Sequence, residues 1–154
     1  MMTLVACFLL VVSTTSAQTL KIFFDKYSND NRFEYVSVGK GMLTMAKMFG
    51  DVDDAKDMQA LSKIKGLKVL TLTDGFDNTL QKKVLKELDE VIKAGNFESL
   101  VEVREKTERV SIYCQITEKD DADMLVVTRD DSELSLIWLK GKLTADELMG
   151  ILDN

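Results

Sequence analysis

Three β-like runs, 109–117, 124–128 and 133–139, follow one another with only Asp-bearing turns between them. Connections that short leave no room for a crossover helix, so these strands must run antiparallel as a meander. Ahead of them lies the longest helical stripe in the chain: Leu80, Val84, Leu85, Leu88, Val91 and Ile92 share one face, and Gly95-Asn96 supplies the stop. Helices and strands are therefore partly segregated. The pattern predicts an α+β fold, a single compact domain with a partly antiparallel sheet, its C-terminal three-stranded meander included, packed with helices. A chain of 154 residues has room for one such core.

The remaining elements follow from periodicity and punctuation. Leu20, Phe23, Phe24 and Tyr27 recur at helical spacing, and the polar run 28–32 closes that helix. Residues 33–38 read as a strand. Gly39-Lys40-Gly41 opens a second helix to about residue 49. Asp51, Asp53 and Asp54 give the cap and acidic first turn of a third, which is expected to end at Gly66. Residues 67–73 are β-like, and Asp74-Gly75 makes the turn into the long helix. Residues 97–106 read as a further helix. Thr144 with Glu147 three residues later spells a capping box ahead of Leu148, Met149, Ile151 and Leu152, so a C-terminal helix is expected.

The N-terminus reads as a targeting segment. An apolar run, 4–12, precedes Ser13, Thr14, Thr15, Ser16 and Ala17, with small residues at 15 and 17 before Gln18, as signal peptidase requires. The expected layout is a signal peptide at 1–17 and one α+β domain at 18–154. Residues 1–17 carry no Lys or Arg, which departs from the usual basic start of such a leader. The apolar run is shorter than the 20 or so residues that a permanent span needs. The expectation is export to the periplasm or cell envelope with no transmembrane span. Leu4-Val5-Ala6-Cys7 resembles a lipobox, but its cysteine falls inside the apolar run, so lipid anchoring ranks second. Cleavage after Ala17 discards Cys7 and leaves Cys114 with no internal disulfide partner.

Composition prunes the chemistry. There is no histidine, the usual general base and commonest metal ligand. A formal charge of -6, from 26 acidic and 20 basic residues, argues against a nucleic-acid partner. Val110, Ile112, Cys114 and Ile116 share one face of their strand, so Cys114 is expected in the core with a raised pKa. Met42, Met45 and Met48 repeat every third residue, and thioethers outside the cytoplasm can hold soft Cu(I) or Ag(I). Leu43, Ala46 and Phe49 among them favour ordinary core packing. The acids at 51–57 lack the glycine and the spacing of a calcium loop and read as helix caps. Asp120, Asp121, Asp123, Asp130 and Asp131 read as solvated hairpin residues. Ser37-Val38-Gly39-Lys40 and Ser62-Lys63-Ile64-Lys65 spell S-x-x-K without the companion motifs of penicillin-recognising enzymes. Gly39-Lys40-Gly41 lacks P-loop spacing and reads as a turn feeding a helix.

Three stretches carry a resemblance to a known family. They are Phe33-Glu34-Tyr35-Val36-Ser37-Val38-Gly39-Lys40-Gly41-Met42-Leu43, Ile64-Lys65-Gly66-Leu67-Lys68-Val69-Leu70, and Ile137-Trp138-Leu139-Lys140-Gly141-Lys142-Leu143. On these the chain resembles the bacterial domain of unknown function 4252, found chiefly in Bacteroidota. The resemblance implies an envelope-directed protein with no established activity, and it assigns no catalytic residue, metal ligand or cofactor. The leading expectation is a non-catalytic envelope module that binds a protein or small ligand. The alternatives are a soft-metal binder through Met42, Met45 and Met48, and a small hydrolase built on carboxylates or on Ser and Lys. Nothing in the sequence fixes an oligomeric state.

Overall fold

The first helix, α1 (Ser16–Ser28), buries Leu20, Phe23, Phe24 and Tyr27 along one side, while Ile22 on its other side stays 66% exposed. The spacing of the four apolar residues dictates that side. The computed structural model describes residues 16–41, 59, 62–73, 77–116, 121–142, 144 and 147. Strand β1 (Glu34–Gly39) follows α1, and β2 (Ile64–Leu72) pairs with it antiparallel over an unbroken six-residue register.

Helix α2 (Asn78–Ala94) is the long stripe expected from the sequence, with Leu80, Val84, Leu88 and Val91 buried and Leu85 and Ile92 packed beside them. Asp77 caps its start, its side chain accepting the Thr79 N–H at 2.8 Å. Its end is a Schellman closure: Asn96 N–H donates to Lys93 O at 3.2 Å and Phe97 N–H to Ile92 O at 3.2 Å. Asn96 takes the left-handed conformation, φ 51°, that this closure demands.

Four strands complete the sheet: β3 (Glu98–Glu105), β4 (Glu108–Ile116), β5 (Ala122–Arg129) and β6 (Leu134–Gly141). The order across the sheet is β1-β2-β6-β5-β4-β3, and every neighbouring pair is antiparallel. The expected meander is thus one strand longer than the sequence suggested, and the domain is α+β.

Two expectations are corrected. The segment 97–106, read as a helix, is strand β3. Glu98, Leu100, Glu102 and Arg104 are compatible with a helix, but Val101 and Val103 pair with Ile112 and Val110 in the ladder, and that pairing overrides local preference. Lys106, at φ 45°, and Thr107 turn the chain between them. Gly66 does not end a helix either. It lies inside β2, next to a bulge between Ile64 and Gly66, where a residue without Cβ is readily accommodated. The second and third helices and the C-terminal helix fall mostly on residues outside those described. The capping box itself is present: Thr144 N–H donates to Glu147 Oε2 at 3.0 Å and Glu147 N–H to Thr144 Oγ1 at 3.3 Å.

Both helices contribute to the core on one face of the sheet, against Leu70, Leu72, Leu125, Val127, Leu134, Leu136 and Trp138. Each such buried side chain stabilises the fold by about 1.5–3 kcal/mol. A second buried cluster, Ile64, Ile112, Met124, Val126 and Leu139, lies on the other face, so β5 is buried on both. A polar clasp joins the helices. The Tyr27 hydroxyl donates to Glu87 Oε2 at 2.8 Å, and Lys26 Nζ reaches the same carboxylate at 2.8 Å. Burial, and then this bond, push the Tyr27 pKa up; the bond from Lys26 holds the Glu87 carboxyl low. Among the described residues no helix is long and apolar enough to cross a membrane.

Candidate functional site

Strand register builds a cleft at one end of the helix-covered face. Ser37 on β1, Lys68 on β2 and Trp138 on β6 are cross-strand neighbours, and two residues further along Gly39, Gly66 and Lys140 form the next row. Because side chains alternate, both rows project from the same face as the core residues Leu70 and Leu136. The paired glycines leave that row bare: a Cβ on Gly39 would meet nothing within 4 Å. The result is a hollow of about 210 Å³ floored by β1, β2 and β6, with Lys21 of α1 at its wall.

Trp138 is the hub of this site. Its ring is 3% exposed, packs against Phe24 at 5.3 Å between centroids, and donates its indole N–H to Asp123 Oδ1 at 3.1 Å. The ammonium groups of Lys68 and Lys140 lie 5.1 Å and 5.0 Å from the same ring centroid, a cation–π distance for each. Lys21 is paired with Asp25 at 2.5 Å, and that bond lowers the Asp25 pKa. Among the described residues neither Lys68 nor Lys140 has a carboxylate within ion-pair distance. Two positive charges are therefore held by an aromatic surface at the cleft.

Behind the indole, Asp123 is 2% exposed and directly opposite Lys140 in the β5–β6 register. Among the described residues its Oδ2 has no hydrogen-bond partner. Burial pushes its pKa up, against the opposing pull of the Trp138 N–H and the Lys140 charge. On its other side stands Gln115 of β4, whose Nε2 donates to Gly95 O at 2.7 Å and ties the sheet to the end of α2. The expectation that Asp123 is a solvated turn residue is thus corrected: β5 begins at Ala122 and carries Asp123 into the interior, where the indole receives it. Asp130 does behave as a turn residue, accepting the N–H groups of Ser132 and Glu133, both at 2.7 Å.

The family model of a domain of unknown function (DUF4252) matches residues 27–151. The chain belongs to that family. The matched span takes in all three strands of the cleft, whereas Lys21 precedes it. No curated protein and no solved structure matches this DUF4252 chain.

In this DUF4252 domain the residues singled out from the sequence are scattered. Met42, Met45 and Met48 lie outside the described residues, as do Cys7 and the acids at 51–57. Cys114 is half-buried against the Ile112 and Met124 cluster, and burial raises its pKa, with Glu98 and Asp123 adding to the effect. Ser62 spends its hydroxyl on Gln59 O at 2.5 Å, and Lys65 pairs with Asp121 at 2.6 Å, so that S-x-x-K joins no serine to its lysine. Ser37 does reach the cleft, but its cross-strand neighbour is Lys68. Among the described residues no group of three Cys, Asp or Glu side chains is placed to hold a metal.

Lys68, Trp138 and Lys140 were missed from the sequence. The available signal was the alternation Leu136, Trp138, Lys140, in which a cation closes an apolar row. Only the register with β2 turns that into a site, by setting Lys68 beside the indole.

Proposed function

We propose that this DUF4252 chain is a non-catalytic, exported cell-envelope module that binds a small ligand bearing an anionic group in the cleft beside Trp138. One observation carries the reading: the Lys68 and Lys140 ammonium groups are both held at the indole, and among the described residues neither makes a direct ion pair with a carboxylate. Two fixed cations next to a glycine-floored hollow supply charge-assisted donors for a carboxylate or phosphate, while the ring and the β-strand backbone exclude water from one side of it. At about 210 Å³ the hollow suits one such group and a short apolar attachment, below the size of most drug-sized sites.

The reading is tested by titrating the protein with acetate, succinate and inorganic phosphate while following the emission of Trp138, the chain's single tryptophan. A saturable change is expected, and Lys68→Ala or Lys140→Ala should weaken it about tenfold each, the loss of one charge-assisted hydrogen bond. No saturable response to any of the three up to about 50 mM would reject the site. The export half is tested separately by the mass of the protein recovered from the envelope fraction, expected to start at Gln18. A Met1 terminus recovered from cytosol would reject it.

A second reading has one observation in its favour, since Ser37 lies directly across from Lys68, a pairing that a Ser–Lys hydrolase would use. Lys68 Nζ is turned to the indole, and no hydrogen bond joins it to the Ser37 hydroxyl, so the lysine acts as a fixed charge rather than as a base. Hydrolysis of an activated ester that disappears in Ser37→Ala would reverse this judgement.

A further inference from the structure

The two edges of the sheet are built differently. An edge strand offers a row of unpaired N–H and C=O groups, and proteins that must not pair there blunt it with charges, bulges or proline. β3 is blunted in this way: a bulge lies between Ser99 and Val101, and Glu98, Glu102, Arg104 and Glu105 spread charge along it. β1 is not. Its register with β2 is unbroken, only Glu34 at its start is charged, and Tyr35 and Val36 are 38% and 53% exposed. Among the described residues no strand pairs with its outer side.

The residues of β1 are complementary to themselves when reversed. If a second copy runs antiparallel alongside with Ser37 opposite its own mate, Val36 falls opposite Val38, the Tyr35 ring covers the bare Gly39, and Glu34 lies at the end of the seam beside Lys40, an exposed residue in the helical turn that follows the strand and within reach of its long side chain. Centring on Val36 instead would set Glu34 against Val38, and centring on Val38 would set Lys40 against Val36. Only the Ser37 register matches opposite charges. An ammonium has three donors, so Lys40 can meet the second copy's glutamate alongside a contact within its own chain.

The geometry points to a homodimer in which β1 of one copy pairs antiparallel with β1 of the other, centred on Ser37, to give one continuous twelve-stranded sheet. Ser37 and Gly39 also line the lysine cleft, so the pairing brings two clefts together at the two-fold axis. The dimer does not depend on the cleft binding anything.

Sedimentation of the full chain tests it. A reversible dimer is expected that weakens with salt. Glu34→Lys sets lysine against lysine at both ends of the seam and Lys40→Glu sets glutamate against glutamate, so each variant alone should dimerise at least about tenfold more weakly. Mixing the two variants restores both opposite-charge pairs, and the mixture should form a heterodimer about as tightly as the unaltered protein. Both positions are exposed, and unchanged far-UV dichroism confirms that each variant is folded. A monomer up to about 0.5 mM, a dimer indifferent to both charge reversals, or a mixture that stays monomeric would each overturn the proposal.

Discussion

Asp123 is the only charged side chain buried among the described residues, and its surroundings favour the protonated form. A carboxyl whose pKa is higher folded than unfolded contributes most below the unfolded value, near 3.9, and loses that contribution as pH rises through the folded value. Where the unfolded carboxyl is ionised, burying Asp123 therefore works against folding. Asp123→Asn, which can still accept from the Trp138 N–H and can offer a donor to neighbouring Gln115, is expected to raise the urea midpoint at pH 7. The gain should shrink towards pH 4. A midpoint unchanged at pH 7 would mean that the carboxylate is better solvated than its burial implies. At this scale the sequence was informative where alternation alone decides, as for Cys114 in its apolar row. It misled at Asp123, because a carboxylate beside a turn and a carboxylate one residue into a strand look alike until the indole that meets it is known to lie across from it.

At the scale of elements, close approach is the controlling term at Gly141. A Cβ there would come within 2.3 Å of Lys63 O and 3.0 Å of Ile64 Cα, both backbone atoms that cannot rotate away. Lys142 N–H also donates to Lys63 O at 3.1 Å, pinning the end of β6 to the start of β2. Gly141→Ala should cost about 3 kcal/mol by overpacking, read as a drop in the midpoint of chemical denaturation. A loss below about 0.5 kcal/mol, the level of an ordinary surface change, would contradict the contact. The elements most legible in the sequence were those with the strongest period, α1 and α2, whose stripes and stop signals recur in the fold. β3 was not legible, since its Glu, Leu and Arg residues suit either structure and its strand state is imposed by β4. The lysine cleft was hidden for the same reason: its parts come from β1, β2 and β6, and register between strands remote in sequence is not written in any one of them.

For the molecule as a whole, the sheet's own layout ranks the stability of its parts. β5 is buried on both faces and flanked by β4 and β6, whereas β1 and β3 are edges with mostly exposed side chains. Amide hydrogen exchange should therefore be slowest in β5 and β6 and faster by orders of magnitude along β3. Uniform protection across all six strands would contradict that ranking.

β6, the last of the six strands in chain order, lies in the middle of the sheet between β2 and β5. While it is missing, the pair β1–β2 and the three-stranded piece β3–β4–β5 share no strand contact and are linked only through the packing of α1 on α2. Closure of the sheet therefore waits on β6, the keystone that both pieces share.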